Sequence, residues 1–186
     1  MPRRFLPRGR ILLAEGRRSE ALDALTHAAK LNPLPEYQWV LADTLRASGR
    51  ATDAALVERE LVARGTTSDP RTVALYLATR GEDGSTALSL ADAELEVRAD
   101  VFTLDARAWA LAANGRSAEA LIAMSRALAE GTADARLFLH ARVIHAAAGH
   151  KREASQWLHK AARLRSTLLP SEDTLLTRQL TDQHTN

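Results

Sequence analysis

Apolar and small side chains in this chain keep the spacing of a helix face, and the faces return at a longer interval. Between Asp100 and Arg165, the residues Leu104, Ala108, Leu111, Gly115, Ala120, Met124 and Ala127 come back 34 positions later as Phe138, Arg142, His145, Gly149, Ala154, Leu158 and Ala161. Steps of three and four put such residues on one side of a helix, and a glycine between two such runs ends the first. Two helices joined at a glycine and repeated at this period predict a helical-hairpin array.

Four segments share one signature: Gly16-Arg17-Arg18-Ser19-Glu20-Ala21, Gly49-Arg50-Ala51-Thr52-Asp53-Ala54, Gly115-Arg116-Ser117-Ala118-Glu119-Ala120 and Gly149-His150-Lys151-Arg152-Glu153-Ala154. The glycine can take positive φ and end one helix. The acid falls in the first turn of the next, where it complements the dipole. The alanine is small enough for the crossing of two helices. A fifth, degenerate copy has Pro70–Arg80 ending at Gly81, with Ser85 as the expected cap of a helix carrying Ala87, Leu88, Leu90, Ala91 and Leu95. The key alanines, Ala21, Ala54, Ala87, Ala120 and Ala154, are then spaced by 33, 33, 33 and 34.

The pattern predicts five pairs. First members cover about 4–15, 35–48, 69–80, 101–114 and 133–148, and second members about 18–31, 51–64, 85–98, 117–130 and 151–164. Breakers separate them at Asn32-Pro33-Leu34-Pro35, at Gly65-Thr66-Thr67-Ser68-Asp69-Pro70 and at Gly131-Thr132. No sustained alternation suggests a strand. Residues 1–165 thus form the array. Residues 166–186 supply a capping helix led by Pro170-Ser171-Glu172-Asp173 and carrying Leu175, Leu176 and Leu180, followed by a frayed polar tail.

Composition narrows the function classes. Of 186 residues, 46% are hydrophobic and only 4% aromatic, which suits alanine-rich helices packed closely. The absence of cysteine removes disulfides, thiolate metal sites and cysteine nucleophiles. A formal charge of +2 gives little long-range pull on nucleic acid. No apolar run approaches the roughly 18 residues of a membrane span. The stretch Ile11-Leu12-Leu13-Ala14 is too short for the about 7–15 residues of a signal core. A cytoplasmic protein is the expectation.

The residues at this point resemble the tetratricopeptide repeat family, over roughly residues 3–165. Its pattern falls on Phe5, Arg8-Gly9, Leu12, Ala21, Leu25, Ala28 and Pro33 in the first copy. In the fourth it falls on Leu104, Arg107-Ala108, Leu111, Ala120, Met124 and Ala127. Departures are Arg142 at a position meant for a small residue, His145 for the usual Tyr, Glu58 at an aromatic position and a late Pro70. Arg142 is expected to extend its stem outward or to loosen its pair. The resemblance implies an all-α, right-handed helical-hairpin solenoid of about ten repeat helices plus a cap, with first helices lining a concave groove.

Carried onto this chain, the groove positions are Leu6 and Arg10; Trp39, Asp43 and Arg46; Arg71, Leu75 and Thr79; Phe102, Asp105 and Trp109; and Leu139 and Val143. Aromatic anchors among charges of both signs are what a groove uses to hold an extended or helical peptide. The implied function is a non-enzymatic protein–protein interaction scaffold. Equally, Trp39 and Trp109 could simply pack between adjacent helices. The family's clamp for terminal carboxylates needs Lys, Asn and Arg, where this chain has Leu6, Arg10, Trp39 and Asp43, and an acid there opposes a carboxylate.

Other chemistry has less behind it. His140 and His145 are five apart, so they do not share a helix face as an i, i+4 ligand pair would, and no metal or other cofactor is expected. Glu58, Glu60, Glu94 and Glu96 have the spacing of exposed helix faces, and neither a Gly-x-Ser-x-Gly turn nor a phosphate loop occurs, so no catalytic residues are expected. Two alternatives to peptide binding follow. The solenoid ends could stack into a homo-oligomer. Less favoured is contact with nucleic acid through Arg3, Arg4, Arg8, Arg10, Arg17 and Arg18.

Overall fold

A computed structural model describes the backbone of residues 5–185 and the side chains of residues 7–183, and among these residues every regular element is a helix. In order they are α1 (Phe5–Ala14), α2 (Arg18–Leu31), α3 (Pro35–Ala47), α4 (Ala51–Ser68), α5 (Pro70–Arg80) and α6 (Gly84–Val97). There follow α7 (Val101–Ala113), α8 (Ser117–Leu128), α9 (Ala135–Ala147), α10 (Lys151–Arg163), a 3₁₀ turn at Arg165–Thr167, and α11 (Pro170–Thr185). The first ten pack as consecutive pairs, so the all-α expectation and the pairing hold.

The repeated glycine is the reason the pairs form. At Gly16, Gly49, Gly115 and Gly149 φ lies between +73° and +81°, a region that a side chain would strain. With the glycine so placed, two backbone N–H groups turn back on the carbonyls of the last turn. Arg17 N donates to Leu12 O (2.8 Å) and Gly16 N to Leu13 O (3.0 Å), and the same two bonds recur at the other three glycines. This satisfies carbonyls that a helix end leaves without partners. Gly81 ends α5 in the same way, through Glu82 N to Leu77 O. The residue after the glycine then opens the next helix, and its guanidinium pairs with the acid three positions on: Arg17 with Glu20, Arg50 with Asp53, Arg116 with Glu119. Ala21, Ala54, Ala87, Ala120 and Ala154 are each fully buried.

Three local expectations are corrected. The fourth helix does not stop at residue 64 but runs to Ser68. Gly65 is buried within it, and Thr66 and Ser68 donate their hydroxyls to Val62 O and Arg64 O, so the supposed breakers stay helical. The cap of α6 is Asp83, not Ser85: in a left-handed conformation its carboxylate accepts from Thr86 N at 3.1 Å. Glu58, expected on an exposed face, is buried against α3.

The chain divides into two compact units, Met1–Asp69 and Pro70–Asn186. In the first, α1 packs on α2, α2 on α3 and α3 on α4. Arg46 of α3 grips Glu58 of α4 in a bidentate pair, its Nε donating to Oε1 at 2.6 Å and its Nη2 to Oε2. In the second unit α5 and α9 both pack against α7, so the first members of successive pairs adjoin. There α11 packs on α10, and Leu176 is buried with Leu139, Leu158 and Ala161. Arg136 of α9 holds the buried Glu172 of α11, whose second oxygen accepts from Leu169 N at 2.8 Å.

Candidate functional site

The groove residues separate into those that pack inside and those that reach solvent. In the first unit, Trp39 is 1% exposed and Asp43 4%. Arg46 is committed to Glu58, and Arg10 lies 3.5 Å from Glu36. The side chain of Leu6, like Arg3 and Arg4, lies outside the described residues. The burial of Trp39 follows from its position: α3 is the helix that α2 and α4 both pack against.

In the second unit a polar chain runs through the seam of α5, α7 and α9. Trp109 Nε1 donates to Thr79 Oγ1 at 3.0 Å. The indole stacks on the His140 ring with 4.1 Å between centroids and 8° between planes. His140 Nδ1 lies 2.9 Å from Asp105 Oδ1, and because a carboxylate only accepts, that nitrogen carries the proton. His140, Asp105 and Trp109 are all buried. These contacts link α5, α7 and α9 side chain to side chain, and so fix the register of the three helices. Leu75 and Leu139 are buried beside it in α5 and α9, and Val143 is half-buried.

At the other end of the same helices lies the exposed part. Asp100 caps α7, accepting from Thr103 N (2.8 Å) and Thr103 Oγ1 (3.0 Å). It also faces Arg71 at 3.3 Å and Arg98 at 3.3 Å. Burial alone would raise the Asp100 pKa; the Thr103 hydrogen bonds and the two guanidinium charges outweigh it and hold the carboxyl below its ordinary 3.8. Anchored in this way, the Arg71 guanidinium sits 5.8 Å from the centroid of the Phe102 ring. Phe102 is 44% exposed, a large aromatic surface held in place by a cation and left open to water.

Sequence reasoning did not find two of these roles. His140 was weighed as a metal ligand, yet it is the surface on which Trp109 stacks; its distance from Asp105, one repeat and a residue, was the available signal. Asp100 was passed over although Asp-x-x-Thr ahead of an apolar run is a capping pattern. A further aromatic shelf on α9 and α10 was also missed: Phe138 and Trp157 stack at 5.5 Å, and Lys160 Nζ lies 4.1 Å over the indole. Beside it His145 faces His150 at 5.7 Å between rings, and burial first, then His150, lowers its pKa from 6.5. His159 Nδ1 is 2.7 Å from Ser155 O. Among the described residues no three His, Asp or Glu side chains gather as metal ligands, and no helix is long and apolar enough to cross a membrane.

Neither a family model nor a curated protein matches this sequence.

Proposed function

We propose that this chain is a repeat protein of the tetratricopeptide type, a helical-hairpin solenoid that works as a non-enzymatic scaffold and holds a peptide segment or helix of another protein. The five buried alanines at near-constant spacing and the repeated glycine turns support the repeat reading. Adjoining first helices in the second unit give a continuous surface of the kind such a ligand needs.

One observation carries the binding reading: the Arg71–Phe102 pair. An aromatic ring that is nearly half exposed, yet pre-positioned by a guanidinium that Asp100 itself orients, loses little entropy when a partner covers it. Trp109, by contrast, contributes to the scaffold rather than to the contact, because its surface is already spent on His140 and Thr79.

The test pairs two variants. Phe102→Ala should leave thermal unfolding near that of the parent and weaken partner retention by about 2 kcal/mol or more. Trp109→Ala should instead cost about 3–5 kcal/mol of stability. Affinity purification with parent and Phe102→Ala baits, compared by mass spectrometry, reads the first. Identical sets of bound proteins at equal intensity would contradict the reading.

A further inference from the structure

The outer side of α10 differs from the other helices that follow a glycine turn. Ahead of α2, α4 and α8, the arginine after the glycine pairs with an acid three positions on. Ahead of α10 that place is taken by His150, and the helix keeps its cations uncompensated. Among the described residues, Lys151, Arg152, Lys160 and Arg163 form no ion pair, and Glu153 is the only carboxylate on the helix.

Arg152, Gln156, His159 and Arg163 follow at steps of four, three and four, so they make one exposed stripe, with the exposed Lys160 beside it. Eleven residues of helix extend about 16 Å, which spans four or five phosphates at about 3.4 Å each along a stacked strand. The stripe holds no apolar side chain. A docked protein or a membrane surface would need apolar anchors there, whereas nucleic-acid interfaces are polar and strongly positive. Beside the stripe lies the aromatic shelf: Lys160 Nζ sits 4.1 Å over Trp157 and 5.6 Å over Phe138, and the two rings stack at 5.5 Å. Trp157 is half-buried, so part of its indole opens next to the cations. Cations in a row beside an aromatic ring are the combination that holds single strands, the cations on the phosphates and the ring against a base.

We propose that the outer face of α10 binds single-stranded nucleic acid, its phosphates along Lys151, Arg152, Lys160 and Arg163 and one base against Trp157. The site shares no residue with the Arg71–Phe102 surface, so the two readings fail separately.

The experiment titrates the full chain into a fluorescein-labelled oligothymidylate and follows anisotropy at several salt concentrations. Four phosphate contacts on a single strand predict a slope of about −3 in log K against log salt, a loss of about 50-fold between 50 and 200 mM. Arg152→Gln, Lys160→Gln and Arg163→Gln combined, all at exposed positions, should leave thermal unfolding unchanged and bring the slope to about −0.7. Arg8→Gln with Arg18→Gln, at the basic N-terminal edge, should bind as the parent does. The oligonucleotide should also quench tryptophan emission, and Trp157→Phe should abolish the quenching and keep the salt slope, since Trp39 and Trp109 are buried. No binding at low salt, a parent slope kept by the triple variant, loss of binding on changing Arg8 and Arg18, or quenching that survives Trp157→Phe would each overturn the proposal. Tighter binding of the matching duplex, or equal displacement by poly-L-glutamate of the same charge, would overturn it as well.

Discussion

At the scale of single residues, small size and orphaned polarity carry the argument. Gly9 lies inside α1, where alanine is ordinarily better by about 0.5–1 kcal/mol. Here a Cβ would fall 2.5 Å from Leu25 Cδ2 and 2.6 Å from Leu25 Cγ, and Leu25 is fully buried. Gly9→Ala should therefore destabilise the protein by about 1–3 kcal/mol; a raised melting temperature would mean that α1 and α2 do not cross there. His145 gives a pH prediction. Its folded-state pKa lies below its ordinary 6.5, so the unfolded chain takes up its proton first and stability falls as pH drops through and below 6.5. Replacing it by Gln should flatten the melting temperature between pH 7.5 and 5.5, and an unchanged slope would remove His145 as the cause. The small residues were legible in the sequence because their period is fixed by the helix crossings. Arg142 was legible only in part: its stem is half-buried, its Nε has no partner, and burial pulls its pKa down.

At the scale of elements, the glycine signature located both members of most pairs, since a glycine at positive φ forces a helix end regardless of tertiary context. Where a boundary depended on packing instead, the sequence misled. Gly65 looks like Gly16 as a letter, but it is buried among ordinary helical neighbours, and α4 continues through it. Glu58 shows the same limit: helical spacing cannot distinguish an exposed acid from one that meets a guanidinium twelve residues earlier. Removing that acid should leave Arg46 half-buried without its main partner. Glu58→Ala is expected to cost about 1.5–3 kcal/mol, the range for a hydrogen bond to a charged group, as read from chemical unfolding. A loss below experimental error would reduce the pair to a surface contact. The α11 cap was visible in advance because Pro170 and the acids after it mark a helix start, whereas its tie through Arg136 and Glu172 links residues 36 apart and leaves no local trace.

For the molecule as a whole, the sequence exposed an all-helical chain of paired elements and a set of first-helix positions, but not which of those positions face water. Burial decides that, and burial depends on neighbours distant in the chain: Trp39 and Trp109 are covered, while Phe102 is open. The competing reading, self-association, also belongs at this scale, and sedimentation at several concentrations separates it from binding of a different protein. The most direct measurement replaces Phe102 with a photo-crosslinking phenylalanine analogue in the full chain, and Ile122, 66% exposed on the second-helix member α8, in a parallel control. On irradiation in extract of the source cells, the account predicts a covalent adduct with a distinct polypeptide from position 102 and none of that species from position 122. Adducts equal at both positions, absent at both, or formed only between copies of this chain would contradict it.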